Sequence, residues 1–139
     1  MDPDLRTTIK NICNKDRRYA EDAYYFVNEA VGFAAEYFTK PEFGSNRHLS
    51  GPELLEGMRE FTLSEFGSMS KAVLKRWGIK TTLDFGHIVF NLIDGGVLAA
   101  SPTDKLGDFD NVYNFDTAFI KPFEPEHPAI PLKFKLDSL

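Results

Sequence analysis

The stretch SGPELLEGMREFTLSEFGSMSKAVLKRWGIKTTLDFGHIVFNLIDGG (residues 50–96) decides the fold, because it carries successive helix starts and glycine stops. In Ser50-Gly51-Pro52-Glu53 the Ser50 hydroxyl can accept from the Glu53 amide while the Glu53 carboxylate returns to the Ser50 amide, a capping box. The helix it opens carries Leu54, Leu55, Met58, Phe61 and Phe66 inward and stops at Gly67. A second helix begins at Ser68, places Met69, Val73 and Trp77 on one face, and ends at Gly78. Thr81 followed by Asp84 is a second capping-box start, with the shorter Asp in place of the usual Glu. The helix Thr82 to Asp94 then runs to Gly95-Gly96. Laid out at about 100° per residue, Phe85, Ile88, Val89, Leu92 and Ile93 share one wide face and Leu83 and Phe90 lie nearly opposite. This helix is therefore expected to be buried on two sides, and Gly86 inside it to admit a close neighbour.

Downstream, Val97 to Ala100 reads as a short strand. Ser101-Pro102-Thr103-Asp104 with Gly107 reads as a turn, and Val112 to Phe115 as the returning strand. Three short helices followed by a hairpin resemble a winged helix. Asp116 is expected to cap one last helical turn through Phe119. Upstream, Asp2 caps and Pro3 opens a short helix to about Asn14, with Leu5, Ile9 and Ile12 on one face. Asp16 is expected to cap a long scaffold helix to Phe38, on which Tyr19, Phe26, Phe33 and Tyr37 fall on one side. Residues 39–49 form a loop. The fold class is mainly α (α+β): a winged-helix-like unit of three helices and a β-hairpin beside a long N-terminal scaffold helix. Residues 1–121 form one domain, and residues 122–139, with Pro122, Pro125, Pro128 and Pro131, form an extended tail. Within it Leu132, Phe134 and Leu136 alternate with charged residues, as along an edge strand.

The composition is that of a globular chain: 139 residues, 42% hydrophobic, with thirteen Phe to fill one core. A net charge of −5 and a pI near 5.2 oppose non-specific attraction to phosphate backbones and anionic lipid. The single cysteine, Cys13, can form no internal disulfide and is expected to pack as a small hydrophobe. The acidic opening Met1-Asp2-Pro3-Asp4 is neither a secretory signal nor an Arg-rich transit peptide, and no run approaches a membrane span. The expected compartment is the cytoplasm.

Charge also bears on the winged-helix comparison. The helix that would read DNA has no Lys or Arg and exposes a strip of Asp84, His87, Asn91 and Asp94. An acidic strip is repelled by phosphates. The basic residues gather instead on the middle helix, as Lys71, Lys75, Arg76 and Lys80, where they could meet an acidic partner or nucleic acid from an unconventional side, or simply favour the helix dipole. The strip's i, i+3 and i+7 spacing also allows a metal in principle, although His48, His87 and His127 show no ligand spacing among themselves. Asp84-Phe85-Gly86 matches a kinase triplet without any of the other parts of a kinase. No nucleophile elbow or phosphate-cradling glycine loop is present, so no catalytic residue, cofactor or metal is expected. On the scaffold helix Tyr25 stands among Glu21, Asp22, Glu29 and Glu36, an aromatic anchor on an acidic face.

The segments RRYAEDAYYFVNEAV (17–31), RHLSGPELLEGMREFTLSEFG (47–67), WGIKTTLDFGHIVFNLIDGG (77–96) and DFDNVYNFDTAF (108–119) resemble a small bacterial family of uncharacterised proteins found mainly in Verrucomicrobia and Planctomycetes. The resemblance implies a bacterial, cytoplasmic, single-domain protein and brings no activity, cofactor or site residue. The expected function is a non-catalytic protein-interaction or adaptor domain that binds a protein or a second copy of itself through Tyr25, Glu21, Asp22 and Glu29, with a basic partner implied. The alternatives are nucleic-acid binding through the basic middle helix and an enzyme with a site near His87.

Overall fold

In the computed structural model the two caps form as their spacing predicts. Residues 3–38, 49–99 and 105–125 are described. Helix α1 is Pro3–Lys15, α2 Glu21–Phe38, α3 Gly51–Phe66, α4 Ser70–Arg76 and α5 Thr82–Asp94. At α3 the Ser50 hydroxyl accepts from the Glu53 N–H at 3.2 Å and the Glu53 carboxylate from the Ser50 N–H at 3.1 Å. At α5 the Asp84 carboxylate accepts from the N–H groups of Lys80 (2.8 Å) and Thr81 (3.1 Å), so the shorter acid satisfies two amides at once. Gly67 ends α3 with φ 52°, a conformation that strains any side chain, and a 3-10 turn Gly67–Met69 leads into α4.

The scaffold helix starts later than expected. Asp16 does not cap it: residues 16–20 form a turn, and α2 begins at Glu21. Asp16 instead accepts from the Arg18 backbone N–H at 3.1 Å and from its guanidinium at 2.9 and 2.7 Å. The Ala20 N–H is taken by the Trp77 carbonyl at 3.1 Å, which pins this turn to the end of α4. Side-chain hydrogen bonding to the local backbone has here outcompeted helix propagation.

Helix α2 packs along α3 and also touches α1 and α5. A Cβ on Gly57 would lie 2.4 Å from the Ala34 Cβ, so α2 and α3 approach as closely as their backbones allow. The same holds for Gly86, whose added Cβ would meet Phe109 at 2.7 Å, as the sequence suggested. Tyr24, Leu55, Met58, Phe85, Ile88 and Leu92 are fully buried. Several residues expected to face inward are not fully buried: Leu54, Phe61, Phe66, Val73 and Trp77 are half-buried and Met69 is exposed.

The predicted hairpin is the main correction. Among the described residues there is no strand, and part of the expected turn, residues 100–104, lies outside them. The Val97 and Leu98 N–H groups both return to the Leu92 carbonyl, at 2.9 and 3.3 Å, closing the end of α5 instead of pairing with another segment. Leu106–Phe109 is a 3-10 turn lying on Gly86. The Thr82 hydroxyl, fully buried, donates to the Phe109 carbonyl (2.6 Å) and accepts from the Val112 N–H (3.1 Å), so a side chain satisfies the backbone that a strand would have satisfied. Tyr113 ties the same segment to α3 through a 2.8 Å hydrogen bond to the Leu55 carbonyl. The last turn, Asp116–Ile120, is of the wide π type, and Asn114, not Asp116, caps it by accepting from the Asp116 and Thr117 N–H groups. Lys121–Phe123 is a 3-10 turn, so the expected start of the extended tail at Pro122 is helical; residues 126–139 lie outside the described part. The three-helix order α3, α4, α5 holds, no wing is formed among the described residues, and the fold is mainly helical. Among the described residues no helix is long and apolar enough to cross a membrane.

Two substitutions test this packing. Leu92→Ala should destabilise by about 2–5 kcal/mol through lost burial and a residual cavity. Gly57→Ala, although it raises helix propensity, should destabilise by about 1–3 kcal/mol because neither backbone can retreat. Urea unfolding of each variant against the parent chain reads both; an unchanged midpoint for Gly57→Ala would contradict the close crossing.

Candidate interaction surface

The polar strip of α5 is part of the scaffold. Asp84 accepts from the Tyr19 hydroxyl at 2.6 Å, besides capping its own helix. Asn91 donates to the Asp16 carboxylate and to the Tyr24 hydroxyl, both at 3.0 Å. His87 is half-buried and Asp94 exposed. Burial pushes both phenols up, Tyr24 to about 12, with the Asp84 hydrogen bond adding to the rise at Tyr19. The strip thus fastens α5 to the α1–α2 turn. A polar cleft of about 390 Å³ lies beside it, lined by Asn11, Lys15, Asp16, Asn91 and Asp94. Among the described residues no group of three His, Cys, Asp or Glu is placed to hold a metal; His48 and His127 lie outside them. Cys13 packs half-buried against this corner, its thiol 3.9 Å from the Tyr19 carbonyl and pushed up by burial and by Glu21 and Asp16.

The basic residues of the middle helix divide. Lys71 pairs with Asp116 at 2.5 Å. Lys75 and Arg76 are exposed in the last turn of α4, and Lys80 is exposed just before α5. The α1–α2 turn adds Arg17 and Arg18 at this end, since the Arg18 carbonyl lies 2.3 Å from where a Cβ on Gly78 would stand.

Tyr25 is half-buried against the core, on the face where α2 meets α1. Glu21 and Asp22 join it in lining a shallow concavity of about 570 Å³, and Arg6 and Lys10 of α1 line it too. The mixed charge removes the reason to expect a basic partner. Glu29 is not part of this lining. It lies four residues before Phe33, which places it beside that ring on the helix surface.

Phe33 belongs to a surface that sequence reasoning assigned wholly to the core. A chain of ring contacts runs from Trp77 at the end of α4 to the last turn of α2. Trp77 and Phe66 each pack on Phe26, with centroids 5.4 and 5.1 Å apart. Phe26 packs on Phe61 at 5.2 Å, Phe61 on Phe33 at 5.3 Å, and Phe33 stacks on Tyr37 at 5.9 Å. Phe26 is buried, whereas Phe33, Phe61, Phe66 and Trp77 are half-buried and Tyr37 is 48% exposed. On α2, Phe26, Phe33 and Tyr37 stand at i, i+7 and i+11, along one edge of the face that buries Ala30 and Ala34. The rings thus stand at the rim of the α2–α3 contact. The signal in the sequence was the width of the apolar arc on α2, greater than one packed helix covers.

No family model matches the chain, and no curated protein or solved structure is similar to it.

The corner beside the cleft makes a pH-dependent prediction. The Arg18 hydrogen bonds, assisted by Asn91, hold the Asp16 carboxyl well below its ordinary 3.8. A depressed folded-state value contributes stability above that ordinary value and loses it as pH falls toward the folded one. Asp16→Asn should therefore be less stable than the parent chain at neutral pH, and the gap in urea midpoint should narrow progressively below the ordinary carboxylate range. A gap independent of pH would assign Asp16 no such role.

Proposed function

We propose that the protein is a non-catalytic interaction module whose working surface is the aromatic face of α2, α3 and α4. The observation that carries this reading is the chain of ring contacts from Trp77 to Tyr37, in which Phe26 is buried, Trp77, Phe61 and Phe33 are half-buried and Tyr37 is exposed. Large rings with few rotatable bonds lose little conformational entropy when a partner covers them, and contiguous apolar surface of this kind marks sites of association.

Two further features support it over the alternatives. On α5, Asp84 and Asn91 beside His87 are taken up by Tyr19, Tyr24 and the helix cap. Reading of DNA by α5 is disfavoured as well, because α1 and α2 pack on it and the Leu106–Phe109 turn lies against it, and its exposed end is acidic. Of the basic residues at the end of α4, Lys71 is paired with Asp116 and Arg18 with Asp16, and the chain as a whole is acidic, which weakens attraction to phosphates.

The concavity at Tyr25 supports a second contact site, between α1 and α2. Site-specific photocrosslinking in the native cell separates the two. A photoreactive residue at position 37 is expected to give discrete protein adducts. Adducts from position 25 alone would move the surface to the α1–α2 face, and none from either position would refute the module. Tyr37→Ser should leave stability within about 0.5 kcal/mol, as at other exposed positions, while weakening the association measured by sedimentation or pull-down.

A further inference from the structure

We propose that the cleft between α1 and the end of α5 binds a small zwitterion of the free amino-acid kind, its ammonium on the α5 wall and its carboxylate on the α1 wall. None of the rings of the aromatic face lines this cleft, which is a separate site. The two walls differ in chemistry. From α1, Thr8, Asn11, Ile12 and Lys15 share one helix face at i, i+3, i+4 and i+7, and of these Asn11 and Lys15 can donate to an anion. The opposite wall is made by Asn91, Asp94 and Gly95. The Asn91 amide group donates to Asp16 and to Tyr24, each at 3.0 Å, which fixes its orientation and leaves its Oδ1 as an acceptor. Asp94 adds a carboxylate at the carbonyl end of α5, whose last turn holds no basic residue to offset the dipole. Gly95 seats on α1, where an added Cβ would lie 2.9 and 3.3 Å from the methyl groups of Thr8 and Ile12, and this contact sets the spacing of the walls.

Lys15 and Asp94 carry opposite charges and line one cleft, yet neither side chain has an ion-pair or hydrogen-bond partner among the described residues. The third charge, Asp16, is already matched by Arg18 at 2.7 Å, and both its oxygens are occupied by Arg18 and Asn91. A simple anion drawn to Lys15 is repelled by Asp94, and a simple cation drawn to Asp94 is repelled by Lys15. A ligand bearing both charges satisfies both walls. At about 390 Å³ the cleft falls within the size of small-molecule sites, about 300–1,000 Å³.

Amide NMR spectra of the isotope-labelled full chain, titrated with each of the common L-amino acids in turn, test this. At least one is expected to shift the resonances of Asn11, Asn91 and Gly95 saturably at millimolar concentration, while its decarboxylated amine and its deaminated carboxylate, each with a single charge, do not. Asp94→Asn and Lys15→Met, both at exposed positions, should each weaken binding about tenfold or more, as expected for loss of one charged contact, and Lys15→Arg should retain it. Dispersed spectra of the variants establish that they are folded. The absence of a saturable shift with any amino acid overturns the proposal, as do equal shifts with the amine alone and variants that bind like the parent chain.

Discussion

Where α2 crosses α3, Gly57 offers no Cβ and Ala34 a single methyl, and the two helices close to backbone contact at that point. Much else depends on this closeness. Helices packed through small residues leave no room between them for large ones, so the rings of Phe33, Phe61 and Tyr37 are displaced to the rim. A bulkier pair at the crossing would widen the interval and let those rings turn inward, as in an ordinary core. The aromatic rim thus goes together with the small-residue crossing, on an α2 whose apolar arc is wider than one packed helix covers.

The second organising element is the turn between α1 and α2. Its backbone is tied to Trp77, its Asp16 carboxylate is shared between Arg18 and Asn91, and its Tyr19 hydroxyl is held by Asp84. The start of the chain is locked in this way onto α5, and the end of α4 is held beside it. The consequence for the surface is indirect but definite: Trp77 can anchor one end of the ladder because its own carbonyl is fixed by Ala20.

The sequence made the helices legible and the surfaces less so. Both capping boxes, the stop at Gly67 and the close approach at Gly86 follow from rules that act within a few residues. Some differences are local: the Asp16 carboxylate takes the Arg18 N–H and guanidinium instead of opening α2, and Asn114 in place of Asp116 caps the last turn. Others involve partners distant along the chain. Val112 to Phe115 looked like a strand because nothing local shows that the Thr82 hydroxyl would satisfy that backbone. Trp77 and Phe33 looked like core because periodicity identifies an apolar face without saying what covers it. Tyr25, Glu21 and Asp22 line one concavity without Glu29, while Arg6 and Lys10 arrive only through the packing of α1 on α2.

The position of Cys13 has a consequence for motion. Its half-buried thiol lies where α1 meets the following turn, and burial with the neighbouring Glu21 and Asp16 disfavours the thiolate, so an alkylating reagent should react with it more slowly than with a free cysteine. Loosening of α1 from that turn would expose the sulfur further and raise the rate, so thiol capture under native conditions follows the packing of the first helix with no label introduced into the chain.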